Sequence, residues 1–200
     1  MSELLVAAPM RIEAMLVSSA ARGALVHKTG MGPKRSKAAV GRLAGQGRGA
    51  MLVLGFCGGL DDSSVPGEVI VAEEVYAASD EGHEEGRVRC AMTGELLQRL
   101  TGKRLKVRTG NVVCVSRLAL GERRAQLHAG GAIAVDMESV WLAGAAGERP
   151  FAVVRVVLDS PKHELMRPQA IGGALRAARA LRRVAGALAD LSPQSGISPE

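Results

Sequence analysis

Aromatic side chains are almost absent from this chain of 200 residues: Phe56, Tyr76, Trp141 and Phe151 are all there are. Lys and Arg exceed Asp and Glu to give a formal charge of +6, which offers cations for anions, but exposed bases would find almost nothing to stack on. Nucleic acid is therefore excluded as the expected partner. The three cysteines, Cys57, Cys90 and Cys114, are odd in number and lack paired spacing, so neither a disulfide framework nor a structural zinc site is expected and they read as reduced thiols. His27, His83, His128 and His163 are dispersed, with no pair at i, i+4, which removes the usual metal signatures; no metal and no cofactor are expected. No apolar run reaches 18 residues, so no transmembrane segment is expected. Met1-Ser2-Glu3-Leu4-Leu5-Val6 shows no basic region leading into an apolar stretch and cleavage site, and the expected compartment is the cytoplasm.

What the sequence does contain is 47% hydrophobic residues, enough for one well-filled core. Short apolar runs at Leu4–Ala8, Met51–Leu54, Val69–Ala72, Val112–Val115 and Phe151–Leu158 are closed by glycine or charged turns. Runs that do not alternate suit strands covered on both faces. Helical patterns at Ser36–Leu43 and Met137–Ala146 lie between them, which predicts an α/β domain with a central mixed sheet flanked by helices. From Gln169 to Leu191 an amphipathic helix is expected, with Ile171, Leu175, Ala178, Leu181, Ala185 and Leu188 towards the core and Arg176, Arg179, Arg182 and Arg183 outside. A single domain over 1–191 and a flexible tail over 192–200 complete the expected organisation.

Two glycine-rich segments follow strand candidates: Gly30-Met31-Gly32-Pro33-Lys34 and Gly55-Phe56-Cys57-Gly58-Gly59-Leu60. Glycine at a strand end permits a sharp turn and close approach of backbone to a ligand. The first matches neither a phosphate loop nor a dinucleotide fingerprint.

In order, Ala8-Pro9-Met10-Arg11-Ile12-Glu13, Gly30-Met31-Gly32, Leu54-Gly55-Phe56-Cys57-Gly58-Gly59-Leu60 with Pro66-Gly67-Glu68-Val69-Ile70-Val71, Val135-Asp136-Met137-Glu138, and Phe151 to Asp159 resemble the nucleoside phosphorylase/nucleosidase superfamily. The likeness is strongest to its methylthioadenosine/S-adenosylhomocysteine nucleosidase branch. It implies an enzyme that breaks the N-glycosidic bond of a purine nucleoside, with Asp159 as the acid for the departing base and Glu13 as the base for water. It further implies Glu138 on the ribose hydroxyls and Met137, Asp136, Phe56, Cys57 and Gly58 around the substrate. A homo-oligomer is also implied.

Chemistry supports these roles. Cleavage builds positive charge on the sugar and negative charge on the base, and carboxyl groups in different environments can answer both. Phosphorolysis would need cations around phosphate, whereas Glu13 and Leu54 stand where arginines occur in the phosphorylase branch. Phosphate remains an alternative nucleophile through Arg11 and Lys34. A non-catalytic nucleoside-binding protein on the same fold is the alternative of another class, and a basic membrane- or anion-binding protein using the C-terminal arginines is the third. Plainer readings exist too: Asp159-Ser160-Pro161 is a helix-entry signature, and Glu13 and Glu138 could be solvated first-turn glutamates. The region Tyr76–Val107 is short for the family's lid, and Val115 to Leu120 lacks the family's stacking phenylalanine, which suits a bulky apolar 5′ substituent such as that of adenosylhopane.

Overall fold

The computed structural model describes residues 4–79, 83–163, 170–189 and 191. Its strands are β1 (Leu5–Ala8), β2 (Leu25–Lys28), β3 (Met51–Gly59), β4 (Val69–Ala78), β5 (Glu84–Arg89), β6 (Val107–Cys114), β7 (Ala132–Asp136) and β8 (Phe151–Asp159). Around them lie α1 (Arg11–Ser18), α2 (Pro33–Leu43), α3 (Thr93–Leu100), α4 (Glu122–Ala129), α5 (Ser139–Leu142) and α6 (Ala170–Leu188), with a short 3-10 turn at Ala143–Ala145. The result is an α/β domain on one mixed sheet, ordered β2-β1-β3-β7-β6-β4-β5, with β8 between β3 and β4. Strands β3, β8, β4, β6 and β7 therefore form a closed ring, and β1 and β2 extend it from one side.

The unbroken apolar runs arise because both faces of the central strands are covered. Leu52, Leu54, Val154 and Val156 face Leu181, Val184 and Leu188 of α6, while Met51, Val53, Val153 and Val157 join Leu43 of α2 and Leu142 of α5 on the other face. Successive residues of one strand thus serve two cores.

Three expectations change at this level. Gly55–Leu60 is not a turn after a strand ending at Leu54; β3 continues to Gly59, pairing Gly55 with Arg155 of β8. The helix expected over Met137–Ala146 shrinks to α5 and the 3-10 turn, because the Asp136 carboxylate accepts the amides of Glu138 and Ser139 and sets the helix start at Ser139. On α6, Leu181, Ala185 and Leu188 are buried as expected, but Ile171 and Leu175 are exposed and Ala177 and Val184 take the inward stripe. The expected tail, 192–200, lies outside the described residues. No described helix is long and apolar enough to cross a membrane.

Candidate active site

The C-terminal ends of β1, β3, β7 and β8 and the loop after β2 converge on a cavity of about 220 Å³. Glu13, Phe56, Cys57, Gly58, Asp136, Met137, Glu138 and Asp159 all line it, together with Met10, Met31, Leu118 and Leu158. Every residue assigned to catalysis or nucleoside binding from the sequence is therefore in one place, although they run from Glu13 to Asp159, whereas Arg11 and Lys34, the candidates for phosphate, do not line it.

Glu13 lies in the first turn of α1, yet it is only 1% exposed, which removes the reading of a solvated helix-start glutamate. One carboxylate oxygen accepts the Met10 amide at 2.5 Å and the other the Phe56 amide at 2.6 Å. Burial pushes its carboxyl up, while Arg155 and the two amides pull it down. Gly55 makes this placement possible. A Cβ there would stand 2.6 Å from Glu13 Oε1 and 2.8 Å from Arg155 Nη1. We expect Gly55→Ala to cost about 1–3 kcal/mol by overpacking, read from the denaturant midpoint.

Glu138, 4% exposed, immediately precedes α5. Its Oε1 accepts the Gly32 amide at 3.0 Å, which fastens it to the loop after β2, and its Oε2 lies 3.4 Å from Arg155 Nη2. Burial pushes this carboxyl up to about 7, with Arg155 opposing and Asp136 adding to the rise. Asp136 is saturated by protein groups: Arg155 at 2.5 Å, Cys114 Sγ at 2.8 Å, the Ser139 hydroxyl and two amides. It supports the turn and Arg155, and has little acceptor capacity left for a ligand.

Arg155 was visible in the sequence only as a charge interrupting an apolar strand. It is wholly buried and lies beneath the site, hydrogen-bonded to Ser139 Oγ at 3.0 Å and paired with Asp136 and Glu138. Burial works against its charge, and Asp136, Glu138 and Glu13 together outweigh that cost. Here three carboxylates share one guanidinium.

Asp159 is the last residue of β8, and Ser160 to His163 form a turn with Ser160 bridged to His163, so the helix-entry reading does not hold. Asp159 also has a buried cation beside it. Arg124 of α4, 3% exposed, donates to Asp159 Oδ2 at 2.5 Å while its other nitrogens reach the carbonyls of Ala119 and Gly59. In the sequence Arg124 is indistinguishable from its neighbour Arg123. Gly58 leaves room for this pair, since a Cβ there would stand 3.1 Å from Arg124 Nη2 and 3.3 Å from Asp159 Oδ1.

Met137 approaches Gly32 with its Cε. Cys57 is buried, and burial holds its thiol far above the ordinary range, which makes it a packing residue. Among the described residues no group of His, Cys, Asp and Glu could hold a metal ion. Tyr76–Val107 forms the β4–β5 hairpin, α3 and the start of β6, and none of its described residues lines the cavity.

A model of the phosphorylase superfamily matches residues 10–189. Solved structures share the fold at low identity. A 5′-methylthioadenosine/S-adenosylhomocysteine nucleosidase from Neisseria meningitidis, in complex with methylthio-immucillin-A, is 19% identical, with 96% of this chain and 100% of that one covered at a TM-score of 0.75. The corresponding nucleosidase from Campylobacter jejuni is 13% identical, with the same coverage and a TM-score of 0.79. A futalosine hydrolase from Helicobacter pylori is 14% identical, covering 94% of this chain and 95% of that one at 0.74. No curated protein matches the chain in sequence.

Proposed function

Because the chain belongs to the phosphorylase superfamily, we propose that it is a purine nucleosidase that hydrolyses the N-glycosidic bond of an adenine nucleoside. The observation that carries this reading is the set of three separately held carboxyl groups, Glu13, Glu138 and Asp159, around one nucleoside-sized cavity. Solved neighbours named for methylthioadenosine and S-adenosylhomocysteine make adenine the base to try first.

In this reading Asp159 faces the base. Arg124 fixes its Oδ2, leaving Oδ1 to hold the proton that the base gains as the glycosidic electron pair moves onto it. Glu138 accepts hydrogen bonds from the ribose hydroxyls and offsets the positive charge that develops on the sugar. Glu13 takes a proton from the water that bonds to the sugar carbon. The products are the free base and a free sugar. Around the sugar, Glu13, Asp136 and Glu138 surround one guanidinium, Arg155, which is already engaged, and this balance favours water over a phosphate dianion.

The wall of Met10, Met31, Met137, Leu118 and Leu158 supports an apolar 5′ substituent, as in adenosylhopane, alongside methylthioadenosine and S-adenosylhomocysteine as smaller candidates. The test is a panel of adenine and hypoxanthine nucleosides, with and without apolar 5′ groups, assayed for base release. Release of adenine with preference for apolar 5′ groups supports the reading, and failure of every nucleoside sinks it.

Glu138 gives a pH prediction. Its charged form is the one that meets a cationic sugar, and its carboxyl titrates near 7, so turnover should fall as pH drops below about 7. Glu138→Gln should lower kcat about tenfold or more with a smaller change in affinity, and should flatten that acid limb. A pH–rate profile of both proteins checks it.

A further inference from the structure

Met31 and Leu118 line the cavity and are both more than half exposed, so they stand at its rim. Met31, with Pro9 and Met10, also lines a second, open groove of about 520 Å³. The apolar rim therefore runs straight into that groove, whose walls carry Arg11, Lys28, Arg35 and Arg42 and no carboxylate. All four cations are exposed, and none is paired with a carboxylate among the described residues. The Thr29 hydroxyl, buried without a hydrogen-bond partner, lines the same groove. Next to Arg11 on α1, Ile12 and Met15 are again more than half exposed, and Met15 lies one turn on from Arg11.

Single exposed apolar side chains are ordinary on a protein surface. Grouped around an opening and bordered by unpaired cations, they acquire a different meaning. Apolar tips fit between lipid headgroups, and the cations meet the phosphates of anionic lipids. No aromatic side chain lines the groove, which leaves a nucleic acid nothing to stack on. A folded protein seated over the rim would close the opening through which a nucleoside has to pass. A bilayer would instead hold nucleosides with apolar arms at that opening.

We propose that the cavity rim and the adjoining basic groove form a docking surface for an anionic lipid bilayer. Arg11, Lys28, Arg35 and Arg42 meet the headgroups, and Met31, Leu118, Ile12 and Met15 enter among them. What docking achieves rests on the nucleosidase reading of the cavity: it brings the mouth to nucleosides whose apolar 5′ arms partition into the bilayer.

The test measures partitioning of the full chain onto vesicles of phosphatidylcholine, with and without phosphatidylglycerol. The mixed vesicles should bind at least about tenfold more tightly at low salt, with the advantage shrinking as sodium chloride is added. Lys28→Glu combined with Arg42→Glu should remove that advantage. Ile12→Ser combined with Met15→Ser, which leaves the charge alone, should weaken binding to the mixed vesicles about fivefold or more. Arg35 is left intact because its stem packs on Gly30. Equal binding to both kinds of vesicle, or either pair of substitutions without effect, overturns the proposal. A loss produced by Arg179→Glu with Arg183→Glu instead would move the surface to α6 and also overturn it. So would a lipid-free dimer that the Ile12 and Met15 substitutions dissociate, since the face would then belong to a second copy. Base release is assayed separately, with methylthioadenosine in solution and a long-chain 5′-alkylthioadenosine held in the mixed vesicles. Relative to methylthioadenosine, cleavage of the vesicle-held nucleoside should fall about tenfold in Lys28→Glu/Arg42→Glu protein. Vesicle binding without base release from any nucleoside would leave the docking surface standing and remove the nucleosidase. Base release without vesicle binding would do the reverse.

Discussion

Asp159→Asn is expected to lower the rate of base release by about a hundredfold or more, because an amide has no acid proton to deliver to the leaving base. The geometry makes this substitution informative. Asp159 Oδ2 accepts from Arg124, and an asparagine oxygen can still do so, while Arg124 keeps the carbonyls of Ala119 and Gly59. The fold should therefore survive with a loss of about 1–3 kcal/mol for the weakened buried hydrogen bond. Circular dichroism and a thermal melt establish that the protein is folded before kcat is compared. Turnover near that of the wild type would reduce Asp159 to a partner that satisfies a buried arginine.

Glu13→Gln is the second large effect, about a hundredfold or more in kcat. Both oxygens of Glu13 accept backbone amides, from Met10 and from Phe56. Glutamine can present an oxygen to one of them but turns its NH2 donor towards the other, so it loses the proton acceptor and also loosens the start of α1. Affinity for a non-reacting nucleoside analogue should change far less than turnover. If phosphate restores the rate of Glu13→Gln, or if the wild type needs phosphate, water is not the nucleophile. Arg11 and Lys34 then become the first residues to test for binding it.

How much of this was legible in the sequence follows from burial. The central strands announced themselves as apolar runs because two cores cover them, but β2 is half-buried at the sheet's edge and β5, Glu84–Arg89, is mostly charged and exposed, so neither carries such a run. The site residues were legible through family likeness in short motifs, not through periodicity. Glycine at position 55 suggested a turn, whereas its purpose is to leave room for the side chains of Glu13 and Arg155 over a continuous strand. Arg124 was beyond reach, since which of two adjacent arginines on α4 points inward is decided by how the helix lies over β7 and Asp159. Arg155 did leave a signal: a single cation among the seven apolar residues of Phe151–Leu158 must be paired, and the carboxylates of Val135-Asp136-Met137-Glu138 were the partners to suspect.

The measurement that bears most directly on the central claim is the product balance of adenine-nucleoside cleavage by the purified protein in buffer freed of phosphate. Adenine and free reducing sugar should appear together in equal amounts, at a rate that added phosphate does not raise. Adenine that appears only with phosphate, matched by a sugar 1-phosphate, would contradict the account.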